Sequence, residues 1–398
     1  MEKSEKRTII SNELIFFLYF WRLIILKPIT TTYLSYGMII LLIYSFVLVL
    51  ISFLKNRKNF IRFEPVNIIL LVFYVVFLFD FFFRPSMFIT DYMYELFLYG
   101  VLPVYFLLQV TDFSRFIKIF YITSLLLFLV YCTDPINDFR YFHDYMVFGF
   151  QLAFPAFIGI DIGRTYYKKQ WLIIFEILCL IELFIFANRS CALGVIFYFI
   201  LKNLFISGFN HKTNKWIYFK WLIIAMGFLL IAIYWENIIL AIAKILEDQG
   251  YLSYSLSQYV YYIEKGSFIT GSATGGRSGI WRQALEMFYE CPLIGSGSGA
   301  FIDKYGYYTH NIISDLLVQY GMAGFLFLTY YIIKAIKKSF NNTLSWEKRI
   351  VLLILFCLWC PKLFFSTTLF ADVGLWCYLA LSLSKRFYEN YLPQVTTK

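Results

Sequence analysis

Apolar residues fall along this chain in long unbroken blocks separated by short polar stretches. They show neither the alternation of half-buried strands nor the one-sided period of surface helices. The blocks lie near residues 33–54, 66–83, 94–110, 116–132, 145–163, 171–187, 190–207, 217–235, 311–333, 350–366 and 369–384. Crossing a hydrocarbon layer takes roughly 20 helical residues, so each block reads as a membrane span. The stretch 9–26 is a further candidate although Arg22 interrupts it, because a long cationic side chain can reach out to an interface. The pattern predicts an all-α polytopic membrane protein of about 12 transmembrane helices. Residues 1–235 form a bundle, 236–310 a large extracytoplasmic loop, and 311–398 the last helices and a tail.

Composition agrees: 60% of the 398 residues are hydrophobic and 15% charged, well outside the balance of soluble domains. The net charge of +10 would suit nucleic acid only if it formed one surface. Instead the basic residues cluster between apolar blocks, which excludes nucleic acid as a partner and encodes topology. With 12 spans and the N-terminus inside, 24 of the 35 Lys and Arg fall on the cytoplasmic side and ten on the outer side. Both tails are then cytoplasmic. The start, MEKSEKR, leads into an apolar stretch without a small-residue cleavage site, so it reads as a retained helix. Cys357 and Cys360 form a CxxC inside an apolar run and read as helix-packing thiols. Arg140, Arg189 and Arg277 fall on the outer side, against the charge rule. Headgroup contact or a local ion pair explains any one of them, but accounts less well for all three together.

The loop 236–310 carries the most site-like residues. ENIILAIAKILEDQ places Ile238, Ile242, Ile245 and Leu246 on one face of an amphipathic helix. The tyrosines of YLSYSLSQYVYY read as a membrane belt. In GSATGGRSGIWRQALEMFYECPLIGSGSG, the residues Ile280, Trp281, Ala284, Leu285 and Phe288 follow helical spacing, with Ser278 as N-cap and Pro292 as stop. Arg277 then stands at a helix start after glycines, where free N–H groups, the helix dipole and a guanidinium converge. That arrangement suits a phosphate or pyrophosphate. No GKS or GKT follows, so this is not a P-loop. His310, at the next span's edge, is placed to act as a general base near neutral pH. The competing reading is a helix-start histidine satisfied by its neighbours. Three histidines without paired carboxylate spacing give no metal site.

The order Arg277, Trp281, Pro292–Leu293–Ile294–Gly295, Gly297, His310–Asn311, Gly321 and Gly324 resembles the signature of the O-antigen ligase and polymerase superfamily over residues 275–325. ANRSCALG (187–194) and FRYFHDYMVFG (139–149) are weaker echoes. The resemblance implies a GT-C-like, metal-independent inverting glycosyltransferase without cofactor. It would act on undecaprenyl-pyrophosphate-linked oligosaccharide at the outer face of a bacterial inner membrane. Carried onto this chain, Arg189 and Arg277 become pyrophosphate ligands, with Arg140 a third and Arg282 added. His310 becomes the base, with Arg277 beside it in catalysis and Asn311, Trp281 and His143 supporting.

A polymerase joins one lipid-linked repeat unit to another, whereas a ligase moves the finished glycan to lipid A–core. The short spacing from GSGSG to His310–Asn311 resembles the polymerases more closely, so polymerase is favoured and ligase is the alternative. A lipid-linked oligosaccharide flippase is disfavoured, because intramembrane carboxylates are sparse and no paired half-repeats occur. Expected partners are the lipid-linked oligosaccharide and membrane lipids. Chain-length regulators often accompany such enzymes, but nothing in this sequence marks a docking surface for one.

Overall fold

The computed structural model describes residues 10–21, 37–57, 63–129, 148–186, 189–207, 236–250, 254–264, 277–340, 344–365 and 368–389. Among these residues it is helical without a strand. The helices are α1 (Asn12–Trp21), α2 (Gly37–Lys55), α3 (Pro65–Phe83), α4 (Ile89–Glu95), α5 (Leu102–Leu108), α6 (Phe113–Leu127), α7 (Phe154–Tyr167), α8 (Ile173–Phe186) and α9 (Arg189–Ser207). They continue as α10 (236–248), α11 (Tyr254–Glu264), α12 (Ser278–Glu290), α13 (Ala300–Tyr305), α14 (Ile312–Ser339), α15 (Trp346–Phe365), α16 (Val373–Leu383) and α17 (Lys385–Tyr388). The expected span 217–235 lies outside the described residues.

Within the described residues, helices occupy the other predicted blocks. The block at 94–110 begins earlier, as α4, and passes through a π turn at Leu96–Val101 into α5, where Pro103 sits near a helix start and needs no intrahelical donor. α14 continues to Ser339, beyond the predicted end. α16 begins only at Val373 because the Asp372 carboxylate caps it, accepting from Leu375 N–H at 2.8 Å. α3 and α14 are both long and apolar enough to cross a membrane.

Burial shows why two apolar faces occur on one helix. In α3, Val66, Ile69, Leu70, Phe73 and Phe77 are buried against the bundle, while Leu71, Val75, Phe79, Phe82 and Phe83 are exposed. α2 likewise exposes Ile39, Ile43, Phe46 and Leu50. Contiguous apolar surface on this scale is untenable in water, and matches an all-α membrane protein. α16 is different: every residue from Gly374 to Leu383 is buried. It packs on α3, α5, α14 and α15 and forms the bundle's axis.

Away from His310, α7, α8 and α9 are tied by a buried ionic cluster. Asp161 accepts from Arg164 Nη2 at 3.0 Å and pairs with Lys202, and Arg164 also pairs with Glu176. Two cations face two carboxylates, so the buried charge is balanced. Cys357 is buried, and both it and Cys360 are free thiols, in keeping with a packing role.

α10 forms as expected, but its buried face is turned by one residue. Ile239 and Ala243 are buried with Ile242 and Leu246 beside them, against α11 and Ile185 of α8, whereas Ile238 and Ile245 are exposed. The set 239, 242, 243 and 246 has the same helical spacing; packing on α11 and α8, not periodicity alone, selected it.

Candidate active site

The candidate site is organised around a break in α14. Gly321 adopts φ 61° and ψ −163°, interrupting the helix between Tyr320 and Met322. A break inside an apolar helix strands backbone donors and acceptors that lipid cannot satisfy. The segment Pro292–Gly297 supplies them. Its Pro292 and Leu293 carbonyls accept from Met322 and Ala323 N–H at 2.9 and 3.1 Å. Its Ser296 and Gly297 N–H groups donate to the Val318 and Gln319 carbonyls at 2.8 and 3.0 Å. The two backbones meet at Gly295 and Gly321, both at positive φ. A Cβ on Gly295 would stand 2.4 Å from Gln319 backbone, and one on Gly321 2.5 Å from Leu293 backbone. Only glycine satisfies both requirements.

A polar chain fastens this loop to α3 and to the first half of α14. Arg84 Nε donates to Asp80 Oδ1 at 2.8 Å and its Nη1 to the Gly295 carbonyl at 2.8 Å. Buried Asp80 also accepts from Ser298 N–H at 2.8 Å and Ser298 Oγ at 2.6 Å. Gly299 N–H donates to Gln319 Oε1 at 3.1 Å, and Gln319 Nε2 donates to Asp315 Oδ1 at 2.6 Å. Thr309 Oγ1 closes the chain, reaching Asp315 Oδ1 at 3.4 Å and the Asn311 carbonyl at 3.2 Å.

His310 follows directly. It holds φ 55°, a left-handed conformation that is strained for a residue with a Cβ. Two anchors impose it: Thr309 on one side and Asn311 on the other. Asn311 caps α14, its Oδ1 accepting from Ile313 and Ser314 N–H at 2.8 and 3.4 Å. Its Nδ2 donates to the Phe364 carbonyl at 3.2 Å, tying the start of α14 to the end of α15. The imidazole packs 3.9 Å, centroid to centroid, from the Tyr308 ring. Its Nδ1 is buried without a hydrogen-bond partner among the described residues. Burial first, and the Arg277 charge second, push the His310 pKa down to about 4. The imidazole is therefore neutral at physiological pH, able to accept a proton.

Arg277 lies near enough to His310 to act on its imidazole electrostatically. The setting of Arg277 differs from the sequence expectation in one respect. Arg277 itself occupies the N-cap of α12 with φ −81°, and Ser278 is the first helical residue; Ser278 is not the cap. The predicted apolar face also turns. Ala284 and Met287 are buried with Phe301 and Val318, holding α12 against α14, while Leu285 is exposed. Trp281 Nε1 is buried without a partner among the described residues. Arg282 is not drawn in: its side chain is 80% exposed and its Nε donates to Glu286 at 3.1 Å, an ordinary surface pair one turn apart.

Arg189 is the first residue of α9. Nearby, α9 abuts the end of α15, where Pro361 Cγ stands 3.4 Å from a Cβ placed on Gly194. The starts of α9, α12 and α14 and the end of α15 therefore gather at one end of the bundle. Arg140 and His143, and the glycines at 271–276, lie outside the described residues. The sequence reading gave Asp80 and Arg84 no part in the site. The Asp80–Arg84 spacing of four residues at a helix end was the available signal for both. Among the described residues no group of three or more His, Cys, Asp or Glu could hold a metal ion.

Residues 174–329 match the family model of O-antigen ligase, from within α8 to beyond the break in α14. The match takes in Arg189, Arg277, His310 and Gly321, and is consistent with the O-antigen polymerase and ligase superfamily. No curated protein matches the chain. The family match and the apolar helices together are consistent with a membrane-bound enzyme.

Proposed function

We propose that this protein is a surface-polysaccharide polymerase. It joins undecaprenyl-pyrophosphate-linked repeat units at the outer face of a bacterial inner membrane, with both termini in the cytoplasm. The observation that carries the reading is the convergence of Arg277 and a neutral, half-buried His310 at one helix-capped junction, inside the stretch that matches the family. In the reaction, an acceptor hydroxyl attacks the donor's anomeric carbon from the face opposite the leaving group. The C–O bond to pyrophosphate breaks, a glycosidic C–O bond forms with inversion, and the hydroxyl proton passes to His310. Arg277, with Arg189 and Arg140, stabilises the charge that builds on the departing pyrophosphate. Arg282 is left out of this cradle because Glu286 holds it in solvent.

Polymerase is preferred because only the six-residue α13 and a short turn separate the glycine loop from His310, which leaves a compact acceptor side. The alternative is a ligase, the activity in the matched family's own description. A deletion strain decides between them. One repeat unit on lipid A–core supports the polymerase; bare core with polymer retained on carrier lipid supports the ligase. Lipid-linked units held at the cytoplasmic face would sink both.

A further inference from the structure

Lys362 lies in the last turn of α15, one residue after Pro361 and two before Phe364, whose carbonyl anchors Asn311. It is also close enough to Cys191 of α9 to act on that thiol electrostatically, and Cys191 is two residues past Arg189. Lys362 therefore stands between the helix end that carries Arg189 and the junction that carries His310. Its side chain is mostly enclosed, 17% exposed. Its one partner among the described residues is Asp372 Oδ2 at 3.4 Å. An ammonium carries three donors, so most of its hydrogen-bonding capacity is uncommitted. The contrast with Lys202 is instructive: that lysine contacts both Asp161 and Thr165 within its closed cluster. Asp372 is meanwhile divided, because its Oδ1 caps α16. A lysine serving only as a structural bolt would be expected to close on its carboxylate, as Lys202 does.

We propose that Lys362 is a further pyrophosphate-binding residue, held by Asp372 and completing the cradle between Arg189 and Arg277. The inference rests on the proposed function. As a compact point charge, Lys362 would take the phosphate oxygen that the planar guanidinium groups leave uncovered.

The test uses the full-length protein in lipid nanodiscs and titrates farnesyl pyrophosphate and farnesyl monophosphate by calorimetry. Lys362→Gln should weaken the pyrophosphate probe by roughly tenfold or more, the scale of one lost charge-assisted hydrogen bond. It should affect the monophosphate much less, and Lys362→Arg should recover part of the loss. Asp372→Asn keeps a capping oxygen while freeing the ammonium, and should bind the pyrophosphate probe at least as tightly as wild type. Wild-type affinity in Lys362→Gln, with Arg277→Ala impaired, would overturn the role of Lys362 alone. Equal losses in Lys362→Gln and Asp372→Asn would likewise reduce it to a structural pair. No binding by wild type, or unchanged binding by Arg277→Ala, would overturn the proposed function and this inference together.

Discussion

Arg277 lowers the proton affinity of His310 across the junction between α12 and α14, adding to the larger effect of burial. The two residues are 33 positions apart in sequence, and their coupling would tie the proposed anion-binding group to the proposed proton acceptor. An anion at Arg277 would cancel the second cause and strengthen the imidazole as a base. Donor arrival and base strength are thereby linked.

The first prediction concerns titration. The chain has three histidines, so their resonances in isotope-labelled protein can be followed individually by NMR. His310 should titrate at about 4, and Arg277→Gln should raise that value, though not to the ordinary 6.5 because burial remains. The unfolded imidazole binds its proton first as pH falls. His310 therefore withdraws stability between pH 6.5 and about 4. A His310 resonance that does not move in Arg277→Gln would contradict the coupling.

Arg277→Ala and His310→Ala should each abolish polymer with protein level intact, read as loss of the ladder on a glycan gel. Arg277→Lys should also lose most activity, because an ammonium cannot reproduce a bidentate fork. A normal ladder from either alanine variant would remove these residues from the mechanism.

Gly295→Ala and Gly321→Ala should each lower the apparent unfolding temperature by several degrees. Each places a Cβ 2.4–2.5 Å from main-chain atoms and forces a positive φ; backbone strain alone costs about 1–3 kcal/mol. Gly279→Ala, where a Cβ would meet nothing within 4 Å, is the control and should unfold as wild type.

Asp80→Asn should be more damaging than its position outside the Arg277–His310 pair suggests. The carboxylate accepts from Arg84 and twice from Ser298, and an amide must turn a donor toward one of them. Breaking a buried pair of this kind costs about 3–5 kcal/mol. Limited proteolysis near residue 295 should accelerate in the variant, and an unchanged cleavage rate would argue against the clamp.

Asn311 separates capping from anchoring. Asn311→Asp keeps the acceptor for Ile313 and Ser314 but loses the donor to Phe364. Asn311→Ala loses both, with about 1 kcal/mol from the cap alone. The alanine variant should therefore unfold at the lower temperature, with aspartate between it and wild type.

Much of this was legible in the sequence, and the reasons are physical. Block length reflects the bilayer, a solvent with fixed thickness, so helices α2, α3, α9 and α15 fall within a few residues of the predicted blocks. Arg277 stood out because the charge rule disfavours it where it lies, and His310 because it is one of three histidines and stands at the edge of a span. Other features depend on three-dimensional partners and leave little trace. Which side of α10 is buried was set by its packing on α11 and α8, not by its own periodicity. The glycines of 295–299 read as a turn, whereas their role is to complete a helix distant from them in the chain. Lys362 counted only as one of the ten basic residues on the outer side, and its neighbours at the junction emerge from packing.

The mended break in α14 has a consequence for how such enzymes diverge. Residues 292–297 and 318–323 share one set of hydrogen bonds, so neither can change its backbone path without the other. A chimera that imports a relative's loop but keeps this α14 should assemble poorly. One that exchanges 278–340 as a block should insert normally and carry the donor's linkage preference with it. The unit of inheritance for specificity would then be a loop and its helix together.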